Sequence, residues 1–378
     1  MNRPDISFDN LPGLQRFMIG NGVAFASYRL PGSSGPVTMI SDGSFSTHSS
    51  VTEVFEHGTG FVMAPFFRNE NFLFLPGDHI LNGTFFKPFT PLAPKAYPDL
   101  PSSVFTPDSK ASYTRMIDET VQRITSGEAA KVVISRVIET QKLSPLELST
   151  LFTVLCESHP HAFVYIAFFP GKGLWAGASP ELLLNASEGE VSTVALAGSR
   201  KAGESGEWGQ KETDEQKWVS RFISKCMTDI GCSNIQVSET RTVSAGSVDH
   251  LSTDFHAYVE SNSVPLLVEA LHPTPAVCGW PKHDAYRIIR ETETYGRSYY
   301  TGFLGPVSSE GKISLFVNLR CLQVLEDKTL IYAGGGITAA SDPASEWEET
   351  ELKSKNMLSA IEKLRNLASE SEIPIHEK

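Results

Sequence analysis

Residues 332–353, YAGGGITAASDPASEWEETELK, constrain the fold more than any other stretch of this 378-residue chain. Strand-forming residues run into Gly334, Gly335 and Gly336, and small residues then lead to Ser341-Asp342-Pro343. Glycine takes backbone conformations closed to other residues, so the pattern predicts a strand ending in a glycine turn. Asp342 suits a helix N-cap and Pro343 the first helical position, where its missing N–H costs nothing. At about 100° per residue, Glu346, Glu349 and Lys353 then share a stripe roughly 60° wide. That stripe borders the apolar face of Trp347, Met357 and Ile361, while Glu348, Glu351 and Lys355 point away. Helical spacing alone leaves two readings open. One is a solvated, charge-rich helix with i,i+3 and i,i+4 pairs; the other is a metal and anion site facing the glycine turn.

Upstream, residues 1–82 mix short apolar runs with Gly, Ser and Pro, which predicts short strands and tight turns. The proline-rich segment 87–107 reads as an extended connector. Helices are expected at 109–126, 143–157, 212–227, 264–271, 282–293 and 343–367, from apolar residues at three- and four-residue spacing. Strands are expected at 131–138, 162–169, 173–177, 181–185, 191–196, 299–304, 313–322 and 329–332, many joined by turns too short for anything but antiparallel pairing. Runs of consecutive strands with long helices, rather than βα alternation, predict an α+β fold: one large domain of mainly antiparallel sheets packed together and covered by helices. Its parts are a β-rich stretch (1–108), a main region (109–367) and a tail (368–378).

A composition of 40% hydrophobic and 20% charged residues is that of a globular protein, and the net charge of −12 argues against a nucleic-acid binder. An acidic chain that binds an anionic metabolite needs local cations or a divalent metal. The five cysteines, Cys156, Cys226, Cys232, Cys278 and Cys321, form no C-x-x-C pair, so reduced thiols and a cytoplasmic setting are expected. No signal-like segment or apolar run of about 18 residues suggests a membrane.

Phosphate-binding loops, dinucleotide fingerprints, H-E-x-x-H and G-x-S-x-G are all absent from the sequence. What remains is a set of polar residues within apolar elements. Lys131 opens an apolar strand, where a buried amine could serve as a base or could simply reach solvent. Glu181, in GASPELLL, could have a raised pKa and donate a proton, or could be an exposed strand start. Arg320, in FVNLRCLQV, must find an anion, either a structural carboxylate or a substrate. His250 and His272 could each be ordinary hydrogen-bonded histidines, the usual outcome for a lone histidine.

The order of the segments decides more than any residue alone. KVVISR, GASPELLL, VALAGSR, the helix bearing Glu215, DHLSTDF, HPTPAVCGWP, ETETYGRSYYTGFLG, NLRC and YAGGGITAASDPASEWEET follow one another. Together they resemble the chorismate-utilising enzyme family, over roughly residues 109–364. That family includes isochorismate, salicylate, anthranilate (component I) and aminodeoxychorismate synthases. The resemblance implies a Mg²⁺-dependent enzyme acting on chorismate, with Glu215 and Glu349 as metal ligands and Glu346 holding a metal-bound water. It further implies Arg320 on the enolpyruvyl carboxylate and Gly334, Gly335 and Gly336 as a backbone cradle. Lys353, His250, Tyr300, Gly198, Ser199 and Ala276 match further pocket positions.

Within the family, the members using water carry a lysine at the start of the KVVISR-type strand, and this chain has Lys131 there. Ala197 stands where aminodeoxychorismate synthases place a lysine nucleophile, and KETDEQKWV lacks the anthranilate synthase wording around Glu215. The resemblance therefore implies an isomerase of hydroxymutase type forming isochorismate, with Lys131 as base and Glu181 as acid. No glutaminase partner is implied, a monomer is expected, and the product could feed menaquinone or siderophore synthesis. The alternatives are a salicylate synthase, which goes on to eliminate pyruvate, and a chorismate-binding protein without catalysis.

Overall fold

The computed structural model describes residues 10–42, 44–83, 100–101, 108–245 and 248–371. Most of the expected connector 87–107 and the end of the tail lie outside these residues. Among them, two antiparallel sheets of nine and ten strands hold the chain together. Alternating side chains of the two inner faces interlock in one apolar layer that includes Tyr28, Phe61, Phe163, Trp175 and Phe316. Phe163 of the first sheet stacks on Phe316 of the second with ring centroids 4.3 Å apart. Burying one such side chain contributes roughly 1.5–3 kcal/mol. Helices cover the outer faces: Leu11–Gly20, Pro145–Ser158 and Pro343–Ser371 against the nine-stranded sheet, Gln210–Ile230 and Val264–Leu271 against the ten-stranded one. The α+β architecture expected from the sequence is the one found.

The structure corrects four local expectations. The first concerns residues 1–82, where a helix, Leu11–Gly20, precedes the strands. Asn10 Oδ1 accepts from Gly13 N–H at 2.8 Å, and Leu11, Leu14 and Met18 form its buried stripe. Strands of this region complete both sheets: Phe25–Arg29 pairs with Phe163–Phe169, and Gly60–Ala64 pairs with Phe303–Val307. Second, the three glycines lie inside the strand Lys328–Ile337 and not in a turn, opposite Ser135, Ile134 and Val133 of the strand Lys131–Gln141. Ladder pairing along the whole strand overrides glycine's preference for turns.

Third, the expected strand 313–322 is two strands, Ile313–Val317 and Cys321–Val324, which belong to different sheets. Arg320 sits in the link between them with φ +48°, a left-handed conformation that propensity does not favour for arginine. Finally, the last helix continues to Ser371, four residues beyond its expected end, with Asp342 Oδ2 accepting from Ser345 N–H at 2.8 Å as its cap.

Candidate active site

The site lies where the strands Lys131–Gln141 and Lys328–Ile337 approach the start of the helices Gln210–Ile230 and Pro343–Ser371. Side chains here need the glycines to be bare. A Cβ on Gly336 would come within 2.7 Å of Lys131 Cε, and one on Gly335 within 2.8 Å of Glu346 Oε2. The flat backbone thus leaves space for an ammonium on one side of the strand and a carboxylate on the other. Gly198, with φ +70°, plays a similar part: a Cβ would meet Glu212 Cβ at 3.0 Å and hold the helix Gln210–Ile230 away. The same position falls in a register shift between Ala197 and Arg200, which turns Gly198 and Ser199 toward the cavity.

One cavity gathers nearly every residue singled out from the sequence. Lys131, Glu181, Gly198, Ser199, Glu215, His250, Ala276, Tyr300, Arg320, Gly334, Gly336, Glu349 and Lys353 all line it. Gly335 and Glu346 are not on its wall: they face each other just behind it, and the Glu346 carboxylate reaches Lys211. Lys211, Glu212 and Tyr332 also line the cavity and were not picked out from the sequence. Lys211 was findable, because it stands four residues before Glu215 on the same helix and so shares its face.

The electrostatics separate the carboxyl groups. Burial pushes Glu181 up to about 7, against the pull of Lys131. Burial also raises Glu346, with Glu349 adding repulsion that Lys211 opposes. Glu349 is half-buried, and while desolvation works to raise it, Lys353 Nζ at 2.6 Å from its Oε1 holds it below the usual carboxylate range. Lys353 also donates to the Gly334 carbonyl at 2.9 Å, which ties the helix to the glycine strand. Lys131 Nζ lies 3.2 Å from Glu215 Oε2, a pair with side chains 3% and 10% exposed.

Two groups face the cavity with bonding capacity unused. Arg320 Nη1 is buried with no hydrogen-bond partner, and burial lowers the arginine's pKa. An arginine left so needs an anion, and a carboxylate matches its fork. His250 hydrogen-bonds the Gly198 carbonyl through Nδ1 at 2.9 Å, so Nδ1 is the donor and Nε2 is a free acceptor. Burial, helped by Arg320 and Lys353, lowers its pKa to about 4 and keeps it neutral.

The carboxylates also suit a hard divalent cation. Glu215, Glu346 and Glu349 offer oxygen only, and Glu346 Oε2 is buried without a hydrogen-bond partner. Among the described residues no three acidic, His or Cys side chains already converge on a point. Each of these glutamates meets a lysine instead: Lys131, Lys211 and Lys353 respectively.

Comparison with known proteins gives the family. Residues 93–362 match the family described as chorismate binding enzyme. The chain belongs to the chorismate binding enzymes. Among its relatives is the isochorismate synthase EntC of Escherichia coli, 28% identical over 263 residues that make up 67% of either chain. The vibriobactin-specific isochorismate synthase of Vibrio cholerae is 34% identical over 249 residues, 61% of this chain and 62% of that protein. MenF, the menaquinone-specific isochorismate synthase from Escherichia coli, shares the fold with a TM-score of 0.74 at 20% identity, covering 92% of this chain and 91% of its own. No helix among the described residues of this chorismate binding enzyme is long and apolar enough to cross a membrane.

Proposed function

We propose that this chorismate binding enzyme converts chorismate to isochorismate, with Lys131 as general base and Glu181 as general acid. The observation that carries the reading is their placement on one cavity: a buried amine, and a carboxyl that burial pushes up to about 7, beside the unpaired Arg320. Lys131 takes a proton from water as the water oxygen bonds to ring carbon 2. The ring double bond shifts, the bond from carbon 4 to its hydroxyl breaks, and Glu181 delivers a proton to the leaving oxygen. Lys131 is held by Glu215, so acting as a base requires that carboxylate to be engaged elsewhere. Arg320 grips the enolpyruvyl carboxylate, and the neutral His250 offers Nε2 as an acceptor to a substrate hydroxyl.

Mg²⁺, held by Glu215 and Glu349 with Glu346 behind, supplies a counter-charge to the ring carboxylate when bound. Ala197, which is buried and apolar, offers no amine for a covalent route. Since acid and base exchange roles in reverse, the reaction is reversible. Glu181 acts in its protonated form, so the forward rate falls as pH rises through about 7.

Lys131→Ala and Glu181→Gln test the assignment. Each lowers kcat with chorismate and Mg²⁺ by roughly 10²–10⁴-fold while far-UV circular dichroism stays as in the parent. A near-normal rate in either variant removes that residue from the acid–base pair.

A further inference from the structure

The proposed chemistry gives Lys211 no task, although its side chain lines the cavity. It sits in the first turn of the helix Gln210–Ile230, whose N-cap, Gly209, makes no side-chain hydrogen bond. A cation there faces the positive end of the helix macrodipole, which is unfavourable without an acidic partner. The partner comes from another helix: Nζ donates to Glu346 Oε1 at 2.9 Å. Burial works against the charge on Lys211, and Glu346, Glu215 and Glu349 overcome it, holding the ammonium above the usual lysine range. All three are the carboxylates suited to the cation.

Lys211 differs in freedom from the other two lysines of this group. Its side chain is 32% exposed, against 3% for Lys131 and 17% for Lys353. It can swing into solvent, whereas Lys131 has nowhere to go. If it leaves, Glu346 stays anchored, because Ser341 Oγ also donates to Oε1 at 2.6 Å. The second oxygen, Oε2, is the one already without a partner.

We propose that Lys211 is a resident counter-ion of the cation site. It compensates and positions the glutamates before the divalent ion arrives, and it must swing toward solvent when the ion takes them, so it sets how tightly the free enzyme holds that ion. The proposal rests on Glu215, Glu346 and Glu349 being the cation-binding group. Its sign distinguishes it from a structural role: a lysine that only braces Glu346 would, on removal, leave ion binding weaker or unchanged.

The test is ion binding by the full chain without substrate, with Mg²⁺ followed by calorimetry and Mn²⁺ by electron paramagnetic resonance. Lys211→Met binds both ions about tenfold tighter than the parent, since the ion no longer has to displace an ammonium from Glu346. Lys211→Arg, which keeps the charge, binds like the parent. Equal or weaker binding by a Lys211→Met protein with an unchanged melting temperature overturns the proposal. Failure of the parent and both variants to bind either ion, even with chorismate present, overturns the cation-ligand reading itself and the proposal with it.

Discussion

Two arginines near the cavity show how the same side chain serves two ends. Arg297 is fully buried and spends all five of its N–H donors within the protein. They go to both oxygens of Glu293, to the Val277 and Val133 carbonyls and to Thr301, while the guanidinium lies 4.4 Å from the Phe66 ring centre. Glu293 in turn accepts from the Ser135 N–H and hydroxyl. This knot ties the strand that carries Lys131 to the loop that carries Ala276. Arg320, by contrast, stands in a strained link with Nη1 buried and unused. A buried charge whose donors are all met holds the fold, and one left short at a cavity wall is waiting for a ligand.

The largest expected effect falls on the satisfied arginine. Arg297→Met leaves Glu293 buried without its counter-charge and costs about 3–5 kcal/mol of unfolding free energy, read from denaturant melts. A loss near zero would mean the knot is not structural. Arg320→Met does the reverse. Its melt stays at or slightly above that of the parent, and KM for chorismate rises about 10–100-fold, the value of a charge-assisted pair. A large loss of stability with unchanged KM would erase the distinction between the two sites.

His250 gives a smaller effect and separates the two kinds of site by pH. Its pKa in the fold is about 4, below the ordinary 6.5, because burial resists its protonation. The unfolded chain takes up that proton first, so the stability His250 gives is present above about 6.5 and is lost as pH falls toward 4. Between pH 7 and pH 5 this amounts to about 2 kcal/mol, and His250→Gln removes it from the pH profile of stability. An unchanged acid sensitivity in that variant would place the proton elsewhere.

The comparison also marks how far the sequence could be read. Lys131, Glu181, Glu215, Arg320 and Glu349 were legible because their segments occur in one order with distinctive wording, and the structure puts them around one cavity, with Glu346 behind its wall. Arg297 and Glu293 stood in a quoted segment, four residues apart on what could have been one helix face, but nothing local shows that both are buried. Their burial comes from the strand and loop packed over them. Arg320 was placed inside a strand because its neighbours are apolar; the chain's crossing from one sheet to the other at that point is a tertiary event. The glycine run was read as a turn for the same reason, since only the partner strand shows that it stays extended. The N-terminal helix is a different case: Leu11, Leu14 and Met18 carried its period, and the surrounding Gly, Ser and Pro residues masked it.

The most direct test of the account is to incubate the full chain with chorismate and Mg²⁺ and identify the products by proton NMR as they form. The account predicts isochorismate in equilibrium with chorismate, approached from either side. Salicylate with pyruvate as the main products would contradict it, and so would no change in the chorismate signals.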